Sequence, residues 1–330
     1  MSRLFFFLAG PVLAVDATDA VLVAALRASL GPLERPAAAA EPDVLWRLVR
    51  GDPAPPDAAL PLLYEGPLPF SRRIVAHRGD AVRVQLVTDD AVSLDLHRPS
   101  RRASIVVAPG VEGRLLSEFL IYAHATSLGL TGQTPLHAAV LGLPEEEGAV
   151  ILFAPSGAGK TTTALALARA GFSLMSDDVA IVRPDGAGWR AWGKPRPLKV
   201  HRFTAALMPF LLPYLGAAWD ENGEQGLRPE SVPEIATATP GETRQVRALV
   251  WLRERVEGPT RCEPADRVEM LLALAGDNLR HGKTGLPPEQ SAAFATIGAM
   301  ARHLPAYTLR VGTPLEAVGD VLRRAIGRVP

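Results

Sequence analysis

The sequence predicts a mixed α/β chain in two parts: a smaller α+β module over residues 1–130, then an α/β domain over residues 131–330 built around a phosphate-binding loop. Three observations predict it. Residues 149–163, AVILFAPSGAGKTTT, run from a buried-type apolar strand through a glycine-rich turn into a helix-forming segment. Before about Pro135, short strands follow one another across turn residues, as in an antiparallel meander. After it, strand-like and helix-like segments alternate, which is the pattern of an α/β sheet.

In chain order, MSRLFFFLAGPVLAVDA reads as a strand, a turn at Gly10-Pro11 and a second strand. Residues 19–30 form a helix, with Asp16, Thr18 and Asp19 as candidate caps. Residues 31–69, rich in proline and holding Ala37 to Ala40, read as loop with a short helical piece near Trp46. The meander follows as RRIVAHR, AVRVQLV and AVSLDLH, with turns at Gly79-Asp80 and Thr88-Asp89-Asp90, and ASIVVAP is its fourth strand. Apolar residues at helical spacing over 113–129 predict a buried linking helix.

In the second part LHAAVLGL is a strand, Glu145 to Gly148 a turn and AVILFA the strand entering the loop. A helix to about Ala170 leads to the strand FSLMS, which ends at Asp177-Asp178, and then to VAIVRP. Further strands are expected at 245–254 and 307–311, and helices at 264–275, 288–303 and from the Thr313-Pro314 cap to Ile326. The proline-rich stretch 193–240 reads as irregular, mobile and substrate-facing.

Composition sets outer limits. The 330 residues suffice for a substantial core, and 35 basic against 35 acidic residues give no net charge, so nucleic acid is not an expected partner. One cysteine, Cys262, excludes an intramolecular disulfide framework and a cysteine-based zinc site. The apolar N-terminal run superficially resembles a signal peptide, but its charged region is minimal and Gly10-Pro11 breaks it. No stretch approaches the roughly 20 apolar residues of a membrane span, so the expectation is a cytoplasmic protein with no membrane partner.

The chemistry starts at the loop Ser156-Gly157-Ala158-Gly159-Lys160-Thr161-Thr162. Backbone N–H groups of such a turn and the positive end of the following helix converge on one point, which suits a polyphosphate. Lys160 then reaches the terminal phosphates and Thr161 offers its hydroxyl to magnesium. The strict pattern opens with glycine, and here Ala154 stands in that place. One helix and one strand further on, Asp177-Asp178 can deliver a carboxylate to magnesium and another to a hydroxyl under attack. His137 lies one strand upstream.

PLHAAVLGL followed by GAVILFAPSGAGKTTTALALARAGFSLMSDDVAIV resembles the catalytic core of the HPr kinase/phosphorylase superfamily, through His137, Ser156 to Thr161, Ala170-Gly171-Phe172 and Asp177-Asp178. The close resemblance covers roughly 50 residues. It implies a P-loop core of the HPr kinase and PEP-carboxykinase type, with ATP on Ser156 to Thr162 and magnesium on Thr161 and Asp178. It also implies Asp177 as the residue that accepts or orients the hydroxyl proton, with His137 and Lys160 near the phosphates. The expected activity is an ATP-dependent serine kinase whose partner is an acceptor protein or precursor peptide carrying a serine. Homo-oligomers are known in that family through contacts not legible here.

The chain departs from the bifunctional members of that family. Arg183-Pro184-Asp185-Gly186 follows Val182 where they carry a glutamate-containing, glycine-rich signature, and Thr162 stands where they carry glutamate. The resemblance is therefore to divergent HPr-kinase-related proteins encoded beside small biosynthetic systems, some of which phosphorylate a serine of a ribosomally made peptide.

Other readings are a kinase of a free small-molecule hydroxyl and a non-catalytic ATP-binding sensor. A GTPase or transport ATPase shares the GKTTT run, but the guanine-reading and transporter signatures are missing. Arg244 and Arg247 flank a strand, Lys194, Arg196 and Lys199 form a basic cluster, and Asn278, Arg280, His281 and Lys283 form a polar knot after a helix. A solvated surface, or for the knot a helix cap, is the plainer role for each.

Overall fold

In the computed structural model the chain is described over residues 2–36, 41–68, 73–144, 146–279 and 288–327. Ala37 to Ala40 of the expected loop, Glu145 of the expected turn, and Arg280, His281 and Lys283 of the polar knot lie outside the described residues. The chain divides into two compact units, Met1–Thr134 with Leu279–Phe294, and Pro135–Asn278 with Ala295–Pro330. The fold is mixed α/β with two large sheets.

The first unit holds β1 (Ser2–Phe7), β2 (Val12–Ala17), α1 (Ala20–Leu30), β3 (Glu34–Arg35), β4 (Val44–Arg50), β5 (Leu62–Pro67), β6 (Ile74–Gly79), β7 (Arg83–Thr88), β8 (Val92–His97), β9 (Arg102–Val107) and α2 (Gly113–Leu130). Its sheet runs β3-β1-β2-β4-β9-β8-β7-β6-β5. The β2–β4 and β4–β9 pairs are parallel, and the β5-to-β9 meander is antiparallel. Asp19 caps α1 by accepting from Leu22 N–H at 2.8 Å. The helical piece expected near Trp46 is instead β4. Val44, Trp46 and Leu48 alternate onto the buried side, and Trp46 Nε1 donates to Ser127 Oγ of α2 at 2.9 Å. Period-2 burial of branched and aromatic residues overrides the weak local helix propensity there.

The second unit holds β10 (Thr134–His137, from Pro135 on), β11 (Ala139–Gly142), β12 (Gly148–Phe153), α3 (Lys160–Arg169), β13 (Ser173–Ser176), β14 (Val179–Asp185), β15 (Gly188–Gly193), β16 (Leu198–His201), α4 (Arg202–Leu207), β17 (Glu224–Leu227), β18 (Arg244–Leu252), β19 (Arg261–Pro264), α5 (Arg267–Asn278), the part of α6 (Pro288–His303) from Ala295 on, β20 (Ala306–Arg310) and α7 (Val318–Ile326). The sheet order is β10-β14-β15-β18-β12-β11-β13, with β20 on β18 and β19 on β20. β12 lies parallel to β18, and all six of its residues are buried.

That burial follows from two apolar layers. Val150 and Leu152 point into a core shared with Leu165 and Leu167 of α3 and Val318 and Leu322 of α7. Ala149, Ile151 and Phe153 point into the opposite core with Met270 and Leu274 of α5 and Ile297 and Met300 of α6. A strand covered on both faces must be apolar throughout, which is why AVILFA shows no alternation.

Two further expectations change. The single strand LHAAVLGL is two, β10 and β11. Ala138 between them accepts no strand role: its N–H donates to Leu136 and Asp178 carbonyls. The stretch 193–240 is not a free loop, because β16 and β17 pair antiparallel across α4 and Leu198, Val200, Leu211 and Leu227 are buried in the α3-side core. No helix among the described residues is long and apolar enough to cross a membrane.

Candidate active site

β12 delivers the chain into the turn Ala154 to Gly159, and α3 starts at Lys160. Gly157 and Gly159 have φ of 82° and 93°, the left-handed region. A Cβ at either would meet no atom within 4 Å, so the backbone conformation, not space, demands glycine. Ala154 is fully buried in the α3-side core, which explains why a small apolar residue serves in that place. No side chain caps α3. The first-turn N–H groups of that helix therefore present an uncapped positive end at the turn.

Lys160 is 8% exposed, and its Nζ lies 2.7 Å from His137 Nε2 at the end of β10. Two nitrogen bases at that distance hold one proton between them. Burial lowers the Lys160 pKa, opposed by the charges of Asp178, Asp277 and Asp177. His137 moves the other way, to about 9, because Asp178 and Asp277 flank its ring and outweigh burial and the Lys160 charge.

The two adjacent aspartates follow β13 and do different things. Asp177, 3% exposed, accepts a hydrogen bond from Thr161 Oγ1 at 2.8 Å. Burial raises its pKa against the pull of that hydrogen bond. Asp178 places Oδ1 at 3.1 Å from His137 Nε2, and its Oδ2 accepts from Arg196 Nη1. Burial would raise the Asp178 pKa, but His137 and Arg196 overcome it and hold the group at about 2. Thr161 is thus bonded to Asp177, while Asp178 faces His137 and Arg196.

Of the remaining loop residues, Ser156 is exposed, Ala158 donates its N–H to Pro155 O at 3.2 Å, and Thr162 exchanges a 2.8 Å hydrogen bond with Thr204 of α4. Thr162 thereby ties α3 to the 193–240 segment.

Sequence reasoning undervalued three residues. Arg196 reaches Asp178, because Gly193 lets the end of β15 press onto Met175 and Ser176, where any Cβ would overlap the Met175 carbonyl. Lys194 comes with it and is buried, and burial together with the Arg196 charge lowers its pKa to about 8. Asp277, at the end of α5, lies 3.0 Å from His137 Nδ1. Its partner Asn278 accepts the His137 backbone N–H at 2.6 Å and donates to Leu274 O at 2.9 Å. The only sequence signal for these was polar residues beside proline or at a helix end.

The other basic candidates lie apart from this cluster. Lys199 pairs with Glu224 at 3.8 Å, and Arg244 braces the Leu143 and Glu146 carbonyls and pairs with Glu242. Arg247 packs against Gly148.

Among the described residues no group of three or more His, Cys, Asp or Glu side chains is placed to hold a metal ion. Magnesium seldom needs one, since it binds through one or two carboxylates together with phosphate oxygens and water. Oxygens in adjacent positions of an octahedral ion at ~2.1 Å lie about 3 Å apart. The Thr161 Oγ1 to Asp177 Oδ2 spacing of 2.8 Å fits that requirement.

No family model matches the chain, and no curated protein matches it. Among solved structures, the chain is similar to the HPr(Ser) kinase/phosphatase from Coxiella burnetii, at 13% identity over 58% of this chain and 95% of that one, with a TM-score of 0.29.

Proposed function

We propose that the second unit is an ATP-dependent kinase that transfers the γ-phosphoryl group to a hydroxyl, with a serine of a protein or precursor peptide as acceptor. One observation carries the reading. The uncapped start of α3, Lys160, Thr161, His137 and both aspartates converge at one place, joined by contacts of 2.7–3.1 Å. Phosphoryl transfer asks mainly for positioning and for neutralisation of phosphate charge. The Lys160–His137 pair and Arg196 supply positive charge, and Ser156 to Thr162 supply the backbone cradle.

Magnesium would be held by Thr161 with Asp177 at its side, and would supply further charge neutralisation on the phosphates. Asp177 is also the better proton acceptor of the pair. Its pKa is raised by burial, whereas Asp178 at about 2 stays ionised at neutral pH and takes no proton. In this reading Asp178 organises the cations instead of the metal. The cytoplasm is the proposed setting. Incubation with magnesium and γ-labelled ATP, with serine peptides, proteins and small hydroxyl compounds as acceptors, tests the proposal. Label on a hydroxyl supports it; tight ATP binding with no transfer to any acceptor supports a nucleotide sensor instead.

A further inference from the structure

Asp277 sits where helix energetics disfavour it. The C-terminal turn of a helix carries partial negative charge, so a carboxylate there is repelled. It does not cap α5 either, because Asn278 does that work through its amide and the Leu274 carbonyl. What the carboxylate does touch is His137, at 3.0 Å from Nδ1, while Asn278 grips the backbone N–H of the same histidine. Two consecutive residues of α5 therefore fix both the backbone and the ring of one residue on β10.

The ring has two nitrogens, and the contact to Asp277 decides how they are used. A carboxylate oxygen 3.0 Å from Nδ1 favours a proton on that nitrogen over one on Nε2. Nε2 is left to face Lys160 and Asp178, on the side of the phosphate loop. A flipped ring would turn a carbon toward Lys160 and leave a buried carboxylate oxygen without its cation, which is costly.

We infer that Asp277 is a positioning residue for the proposed phosphoryl transfer: it orients the His137 ring so that Nε2, held against Lys160, stands at the phosphate loop. The inference rests on the kinase reading for its catalytic consequence, but not for the ring orientation itself.

The test uses the full-length chain and the variants Asp277→Asn and Asp277→Glu, with Asp277→Ser as a second truncation should the first not fold. The ring ¹⁵N and ¹³C signals of His137, identified by their loss in His137→Gln, are recorded at one fixed pH. Asp277→Asn is expected to shift them and Asp277→Glu to restore them. Turnover of magnesium ATP is expected to fall about 10–100-fold in kcat for Asp277→Asn with KM for ATP within about twofold, the scale typical of outer carboxylates that orient a histidine. His137 signals unchanged in Asp277→Asn overturn the inference, whatever the enzyme turns over. Shifted signals with undiminished kcat overturn its catalytic part. If the wild-type chain transfers no phosphate, the kinase reading fails, and the ring signals alone still decide whether Asp277 orients His137.

Discussion

Thr161 Oγ1 donates to Asp177 Oδ2 at 2.8 Å, and this bond joins the phosphate loop to the end of β13. The neighbouring Asp178 turns instead to His137 and Arg196. One dipeptide thus serves two tasks, holding a hydroxyl through Asp177 and two cationic side chains through Asp178.

Lys160→Ala should weaken ATP binding by roughly 30-fold or more, because a buried cation aimed at phosphate is worth about 2 kcal/mol or more when truncated. Calorimetric titration with magnesium ATP measures it. Unchanged affinity would remove the loop from the nucleotide site.

Gly159→Ala should cost about 1 kcal/mol or more of stability, since alanine is strained at a φ of 93°. The open space around that position means that no clash adds to the loss. Thermal or urea unfolding reads it, and the same change made at Gly276, inside α5 and without a positive φ, should not destabilise.

Lys194 gives a pH prediction. Burial first, and Arg196 second, depress its folded-state pKa to about 8, below the ordinary lysine value of 10.5. Between those values the unfolded chain binds the extra proton, so wild-type stability rises from this residue as pH goes from about 8 to 10.5, is lost over the same interval as pH falls, and changes no further below about 8. Lys194→Met lacks that term. Its melting temperature relative to wild type should therefore drop by several degrees across that interval, and a constant difference would contradict the burial of a titrating amine.

The strand–loop–helix and its glycines were legible in the sequence because local rules dictate them: six apolar residues, a left-handed turn and an alanine-rich helix. Asp177-Asp178 was legible by spacing from Lys160. The segment around Trp46 is a strand and not the expected helical piece, and the alternation of Val44, Trp46 and Leu48 is its sequence signal. The Thr161–Asp177 bond could not be read, because adjacent residues leaving a strand point in opposite directions and only the tertiary arrangement selects which meets the loop. Arg196 and Asp277 were obscured for the same reason. Arg196 depends on the close approach that Gly193 allows, and Asp277 lies 140 residues after His137, brought back by α5.

Asp178→Asn should act on the cation cluster without removing the Thr161 partner. His137, whose pKa is held at about 9 first by Asp178 and then by Asp277, should titrate at a lower pH in that variant. A pH series of the His137 ring signals checks it, with the same variant retaining the Thr161–Asp177 hydrogen bond.

The most direct test of the account compares the wild-type chain with Asp177→Asn for transfer of the γ-phosphoryl group from magnesium ATP to a hydroxyl acceptor. The predicted result is transfer by the wild type, with the variant binding ATP comparably but transferring about 100-fold more slowly or worse, the usual scale for loss of a positioned base. Equal rates in the two proteins, or ATP bound by the wild type with no phosphoryl transfer to any acceptor, would contradict it.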